Sequence, residues 1–237
     1  MKISKIQLLA PFNSGTHLLA KILNQNIKQN ILIRHNGHTL FWKHTINKSL
    51  ISKSLESNTD TLFICMYKPI HNWICSVQKE PYSLKSRVFG RWDKTLTSEV
   101  AFFEDHFDEQ GEFQKNVQKT HYDNIIEIYN EYYNMYISLI NTYDRVTFMN
   151  YYDILDKENV EKYISNKLLV YNLSINSNHN IFSILDKPAK CHGTSVKSSD
   201  EAIRKKDECY NNINNCKKNR LMIKKYFNHE IKQFFEG

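Results

Sequence analysis

Apolar residues along this chain fall into short continuous runs and into helical spacings. Lys5 to Leu9 reads as a buried strand, and Thr61-Leu62-Phe63-Ile64-Cys65-Met66 as a strand covered on both faces. Ala10 to Thr16 is a loop, after which His17-Leu18-Leu19-Ala20-Lys21-Ile22-Leu23 opens a helix. Asn30 to Arg34 reads as a second strand and Ile46 to Leu55 as a helix. His71 to Lys79 reads as a helix stopped by Pro81. From Tyr122 to Tyr143 the spacing predicts a long helix, with Ile125, Ile128, Tyr129, Tyr132, Tyr136 and Leu139 three or four apart. That stripe reads as core packing rather than a base-stacking platform. Arg145 to Met149 is a further strand, followed by a helix through Glu158 to Ser165. Strands alternating with helices over short links predict an α/β fold, a three-layer sandwich around a parallel sheet.

Two stretches fit this pattern less well. Glu80 to Lys119 mixes aromatics with charges and contains the acidic run Glu104-Asp105-His106-Phe107-Asp108-Glu109. It reads as an insertion over about residues 80–120, either a solvated helical excursion or a substrate-facing lid. Lys187 to Ser199 reads as a loop, within a basic and mainly helical C-terminal segment, 187–237. The whole chain, 1–237, is expected to form one domain.

Composition narrows the function classes. With 41% hydrophobic and 24% charged residues the chain can bury a core, and its 6 glycines and 4 prolines exclude collagen-like or linker-rich designs. No apolar run is long enough for a membrane span, and Ile6 to Ala10 is too short for a secretory leader. The 5 cysteines are odd in number and form no CxxC pair, against a disulfide scaffold or a zinc ribbon. Cys65 and Cys75 are expected to be reduced core residues in a cytoplasmic protein. A net charge of +7 favours an anionic partner, although Lys, Asn, Ile and Tyr are abundant throughout. No RNP1, KH or helix-turn-helix pattern is visible, so nucleic acid is not the expected partner.

The chemistry concentrates where the first strand meets its helix. In Asn13-Ser14-Gly15-Thr16-His17-Leu18, backbone N–H groups and the positive end of the helix dipole offer a phosphate cradle, with the Ser14 and Thr16 hydroxyls as further donors. GxxxxGK(S/T) is absent, which disfavours ATP hydrolysis. A second element, Lys68-Pro69-Ile70-His71-Asn72-Trp73-Ile74-Cys75-Ser76, follows the strand at 61–66 and continues to Lys79-Glu80-Pro81-Tyr82. A third is Val146-Thr147-Phe148-Met149-Asn150-Tyr151-Tyr152-Asp153-Ile154-Leu155.

Together these three elements resemble the PAPS-dependent sulfotransferases, in particular a bacterial, plant and viral subset. The first is similar to the family's 5′-phosphosulfate loop, (K/R)-S-G-T-T-x-L. The second resembles its 3′-phosphate element, a basic residue and then a helical serine. The third resembles its strand-plus-YEDL stretch. The resemblance covers about residues 5–166 and implies a P-loop NTPase-like fold. It also implies sulfuryl transfer from PAPS, as co-substrate and without a metal, to a hydroxyl of a small molecule, glycan or peptide. Asn13, Ser14, Gly15, Thr16, His17 and Leu18 would hold the 5′ end, Lys68 and Ser76 the 3′-phosphate, and Tyr151 would help place the adenine. A basic, glycine-containing loop over the 3′-phosphate is matched only in composition, by Lys190, His192, Gly193, Thr194, Lys197 and Arg204 to Lys206.

The chain also departs from that pattern. Asn13 stands where the family has a basic residue, His17 replaces the second threonine, and the proline of the 3′ element is displaced to Pro69. An alcohol attacking sulfur needs a base for its proton. Trp42-Lys43-His44 resembles a W-K-H stretch of the same subset, which makes His44 the candidate base and Lys43 a candidate cation in place of the charge missing at Asn13. His38 and Glu80 rank lower, and His35 and His38 read better as surface or core histidines. The alternative is a degenerate nucleotide- or polyanion-binding module of the same fold.

Overall fold

The computed structural model describes residues 2–32, 39–85, 92–107, 113–174, 189–191, 194–196, 204, 208 and 210–237. The chain begins β1 (Lys5–Leu9), α1 (Thr16–Asn26), β2 (Asn30–Leu32), α2 (Lys48–Ser57), β3 (Thr61–Tyr67) and α3 (Ile70–Lys79). Next come β4 (Leu84–Lys85), α4 (Trp92–Thr95), β5 (Val100–Phe107) and β6 (Phe113–Tyr122). Then follow α5 (Ile125–Thr142), β7 (Val146–Asn150) and α6 (Lys157–Lys162), which runs into a π-helical turn, Tyr163–Leu168. The described C-terminal part holds β8 (Ala189–Cys191), β9 (Thr194–Val196), α7 (Lys217–Tyr226) and α8 (His229–Glu236).

Strands β2, β1, β3 and β7 lie in that order in one parallel sheet. All seven residues of β3 are buried, and the period of two divides them between two cores. Leu62, Ile64 and Met66 pack with Leu19 and Ile22 of α1 and Val160 of α6. Phe63, Cys65 and Tyr67 pack with Ile51 of α2, Ile74 of α3 and Tyr136 of α5. The fold is therefore mixed α/β, with a central parallel sheet flanked by helices.

Two sequence expectations change. The segment expected to be a helical excursion or a lid is mostly sheet among its described residues: β4, β5 and β6 pair antiparallel, and α4 is the one helix described between them. Phe102 and Glu104 of β5 point inward, so the acidic run supplies a buried strand position rather than a solvated face. The 187–199 loop carries the β8–β9 hairpin, so the C-terminal segment is not wholly helical. Cys65 and Cys75 are both buried in the core, as expected, and burial pushes the Cys65 thiol far up. No helix among the described residues is long and apolar enough to cross a membrane.

Candidate functional site

Topology fixes where a ligand would sit. In the sheet order the chain leaving β1 goes to β2 on one side, and the chain leaving β3 goes on to β7 on the other. The connections leaving the carboxyl ends of β1 and β3 therefore diverge, which opens the kind of crevice in which parallel sheets bind ligands.

The loop after β1 is anchored by Phe12. Its ring stacks with Phe102 and leans on Trp73, and its carbonyl accepts a 2.9 Å bond from Trp73 Nε1. Asn13 and Gly15 both have left-handed backbones, φ 61° and 85°. Left-handed residues on either side of Ser14 turn neighbouring N–H groups toward one side, as anion-binding loops do. Gly15 caps α1 and its carbonyl accepts from the N–H groups of Leu18 and Leu19. Ser14 Oγ is buried and makes no hydrogen bond of normal geometry. The Tyr133 hydroxyl is close enough to Ser14 for it to lower that phenol's pKa, although burial outweighs this and raises it overall.

Lys68 leaves the end of β3 into this loop. Its Nζ donates to Asn13 O and to Ser76 Oγ, both at 2.8 Å, and lies 4.4 Å from the centre of the Tyr151 ring. Tyr151 is tied to β3 by its N–H, 2.7 Å from Tyr67 O. The same ring covers Gly15, where a Cβ would come within 2.7 Å of it. Three segments distant in sequence thus meet at the ammonium of Lys68, a residue only 5% exposed.

His44 and Lys43 border the loop from the other side. Ala10 N–H donates to Lys43 O, and Ala10 O lies 2.7 Å from His44 Nδ1. A carbonyl can only accept, so Nδ1 carries the proton and Nε2 is the acceptor of the neutral ring, the form a base requires. Lys43 Nζ is 3.5 Å from His17 Nε2, at the outer limit of a hydrogen bond. This places a second cation over the first turn of α1. His44 is 6% exposed as a residue, and its ring packs edge-on against Trp42, Phe12 and Tyr82.

No model of a protein family matches this chain, and no curated protein or solved structure matches it. The functional reading therefore rests on the residues themselves. The structure brings the residues singled out from sequence together: the Asn13–Leu18 loop, Lys43 and His44, Lys68 with Ser76, and Tyr151. Glu80 takes part through its backbone, its carbonyl accepting from Asn13 Nδ2 at 2.7 Å. His35, His38, His192, Gly193, Lys197, Lys205 and Lys206 lie outside the described residues. Among the described residues no group of three His, Cys, Asp or Glu side chains stands close enough to hold a metal ion.

Sequence reasoning missed several contributors. Glu104, 2% exposed, accepts from Thr45, the neighbour of His44. Tyr82, which closes the second sequence element but was given no role there, is half-exposed with φ 52° and is the exposed member of the ring cluster at His44. The buried α5 tyrosines also reach the site with their hydroxyls. A signal for them was present, because a buried phenol needs a polar partner and a stripe of tyrosines is not equivalent to a stripe of leucines.

Proposed function

We propose that this chain is a PAPS-dependent sulfotransferase with a P-loop NTPase-like strand, phosphate loop and helix. The observation that carries the reading is the meeting of the Asn13 loop, Ser76 and Tyr151 at Lys68 Nζ, at the carboxyl edge of β1 and β3. Three stretches that resemble one family's nucleotide elements converge where an anionic nucleotide would be held. The 5′ end of PAPS would lie on the backbone of residues 13–18, and the 3′-phosphate would draw Lys68 and Ser76 toward it. The acceptor oxygen forms a bond to sulfur as the bond from sulfur to the bridging phosphate oxygen breaks. The acceptor's proton passes to His44 Nε2, and the leaving electron pair stays on adenosine 3′,5′-bisphosphate. Lys43 and the first turn of α1 supply positive potential for that charge.

Calorimetric titration with adenosine 3′,5′-bisphosphate tests the reading. Wild-type protein should bind it more tightly than adenosine 5′-phosphate. Lys68→Ala, checked for its fold by circular dichroism, should lose about tenfold to a hundredfold in affinity, the value of a charge-assisted hydrogen bond. Equal affinity in wild type and variant, or no binding by wild type, removes the assignment. The second reading, a nucleotide- or polyanion-binding module, draws on Asn13, whose uncharged side chain is directed to Glu80 O. Tight bisphosphate binding with no transfer from labelled PAPS to phenols, glycans or peptides selects it.

A further inference from the structure

We propose that one stretch of α5, Tyr129 to Tyr133, is the positioning element of this site, holding Lys68 and His44 by their backbones through three tyrosine hydroxyls. The inference rests on the roles given above to those two residues. β3 ends at Tyr67, whose register partner is Asn150, the last residue of β7. At Lys68 the hydroxyls of α5 take over from the strand ladder. Lys68 N–H donates to Tyr133 Oη at 2.9 Å, and Tyr129 Oη donates to Lys68 O at 2.9 Å. Tyr133 Oη itself points on to Met66 O, 3.3 Å away. Residues four apart on a helix lie one above the other, so a single face grips both backbone polar groups of one residue, Lys68. Tyr132, pointing to the neighbouring side, donates to His44 O at 2.6 Å.

All three side chains are fully buried, and phenylalanine would fill nearly the same volume. Packing alone therefore does not call for the hydroxyls. The same helix contains an internal contrast: Tyr136 is equally buried, yet its Oη has no hydrogen-bond partner. The hydroxyls that are satisfied are the ones that reach the two site residues. A rigid helix thereby sets the separation between the Lys68 and His44 backbones, the kind of support from which side chains reach the sub-ångström placement a transfer site needs.

The test compares Tyr129→Phe, Tyr132→Phe, Tyr133→Phe and Tyr136→Phe in the full chain. Nitrogen NMR of the His44 imidazole and the Lys68 amine and amide gives a readout independent of any ligand. Tyr132→Phe should shift the His44 signals and leave those of Lys68 in place. Tyr129→Phe and Tyr133→Phe should do the reverse, and Tyr136→Phe should move neither. Bisphosphate affinity should fall roughly three- to tenfold in Tyr129→Phe and stay unchanged in Tyr132→Phe, each lost contact being a single hydrogen bond. Equal disturbance of both probes by all four variants reduces α5 to packing and overturns the proposal. In wild-type protein the Lys68 amide should resist hydrogen exchange as the β3 amides do, and loop-like exchange there overturns the clamp even if a variant does not fold. Absence of bisphosphate binding by wild type retires the nucleotide reading, while the NMR comparison still decides the clamp.

Discussion

Replacing Gly15 by alanine probes the point where loop, ammonium and aromatic ring meet. The added Cβ would lie 2.7 Å from both Cδ2 and Cε2 of Tyr151, closer than side-chain atoms tolerate, and 3.4 Å from Ile154 Cδ1. The backbone there has φ 85°, where a Cβ costs about 1–2 kcal/mol. Alanine also narrows the unfolded ensemble, which returns roughly 0.4–1 kcal/mol. Forcing a methyl group against the ring adds about 1–3 kcal/mol. Together these give a loss of about 1–5 kcal/mol in urea unfolding with an unchanged denaturant slope. Tyr151 is only half-buried and can swing outward to relieve the clash, but doing so takes its face away from Lys68 Nζ. A double-mutant cycle separates the two contributions. In a Tyr151→Ala background Gly15→Ala should cost only the backbone part, leaving a coupling of roughly 1–3 kcal/mol between the positions. If Gly15→Ala costs the same in both backgrounds, or less than about 0.5 kcal/mol in wild type, the described contact does not govern this loop.

Other expected outcomes follow from single residues. On the proposed reading, His44→Ala should lower sulfuryl transfer from labelled PAPS by about 10²–10⁴ while bisphosphate binding persists, and full turnover would eliminate it as the base. Arg145 forks to the carbonyls of Leu55, Asn58 and Thr61, so Arg145→Ala should destabilise by about 2–3 kcal/mol in equilibrium denaturation, with only partial recovery in Arg145→Lys. Burial, reinforced by Lys232, holds the His71 imidazole down to about 4 from an ordinary value of 6.5. Between those values the unfolded chain binds a proton that the native chain does not, so stability should fall as pH drops from about 6.5 to about 4, by at most roughly 3 kcal/mol. Urea unfolding across that range should show a shallower slope in His71→Gln, and an identical slope would assign the loss to other groups.

The parallel core was legible because burial on both faces leaves a plain trace. Six of the seven β3 residues were read from their apolar run, and only Tyr67, whose hydroxyl bonds Glu236 at 2.5 Å, lay beyond it. The long helix was displaced by three residues at its start. Asn124 accepts from the N–H groups of Ile126 and Glu127 and so caps α5, a choice that spacing alone does not make. The α2 start shifted for the same reason, Asn47 capping it by accepting from Leu50 N–H. The β4–β6 sheet was not legible because one of the inward positions of β5 is Glu104. Its hydrogen bond comes from Thr45, 59 residues earlier, so a local pattern reads the carboxylate as solvent-facing. The loop residues of the site could be read from a short motif. The tyrosine stripe of α5 signals buried hydroxyls that need partners, but not which ones, since the partners are carbonyl and N–H groups of Lys68 and His44 that carry no sequence signature.

Asn13 shows how geometry and charge constrain each other in this loop. The φ of 61° is a conformation that asparagine tolerates better than lysine or arginine. Both ends of the residue are engaged: Nδ2 donates to Glu80 O at 2.7 Å, and its main-chain oxygen receives Lys68 Nζ at 2.8 Å. A lysine here would strain the backbone, give up the bond to Glu80 and set a second ammonium near the first. Lys68 already brings a full charge to the loop's backbone from the end of β3, and Lys43 brings another to His17 on the adjoining turn. On the proposed reading, the positive potential that a basic residue would supply from within the loop is supplied from β3 and from the Trp42–His44 segment. The loop then needs at position 13 a residue that can turn left-handed and bridge to Glu80, and asparagine does both.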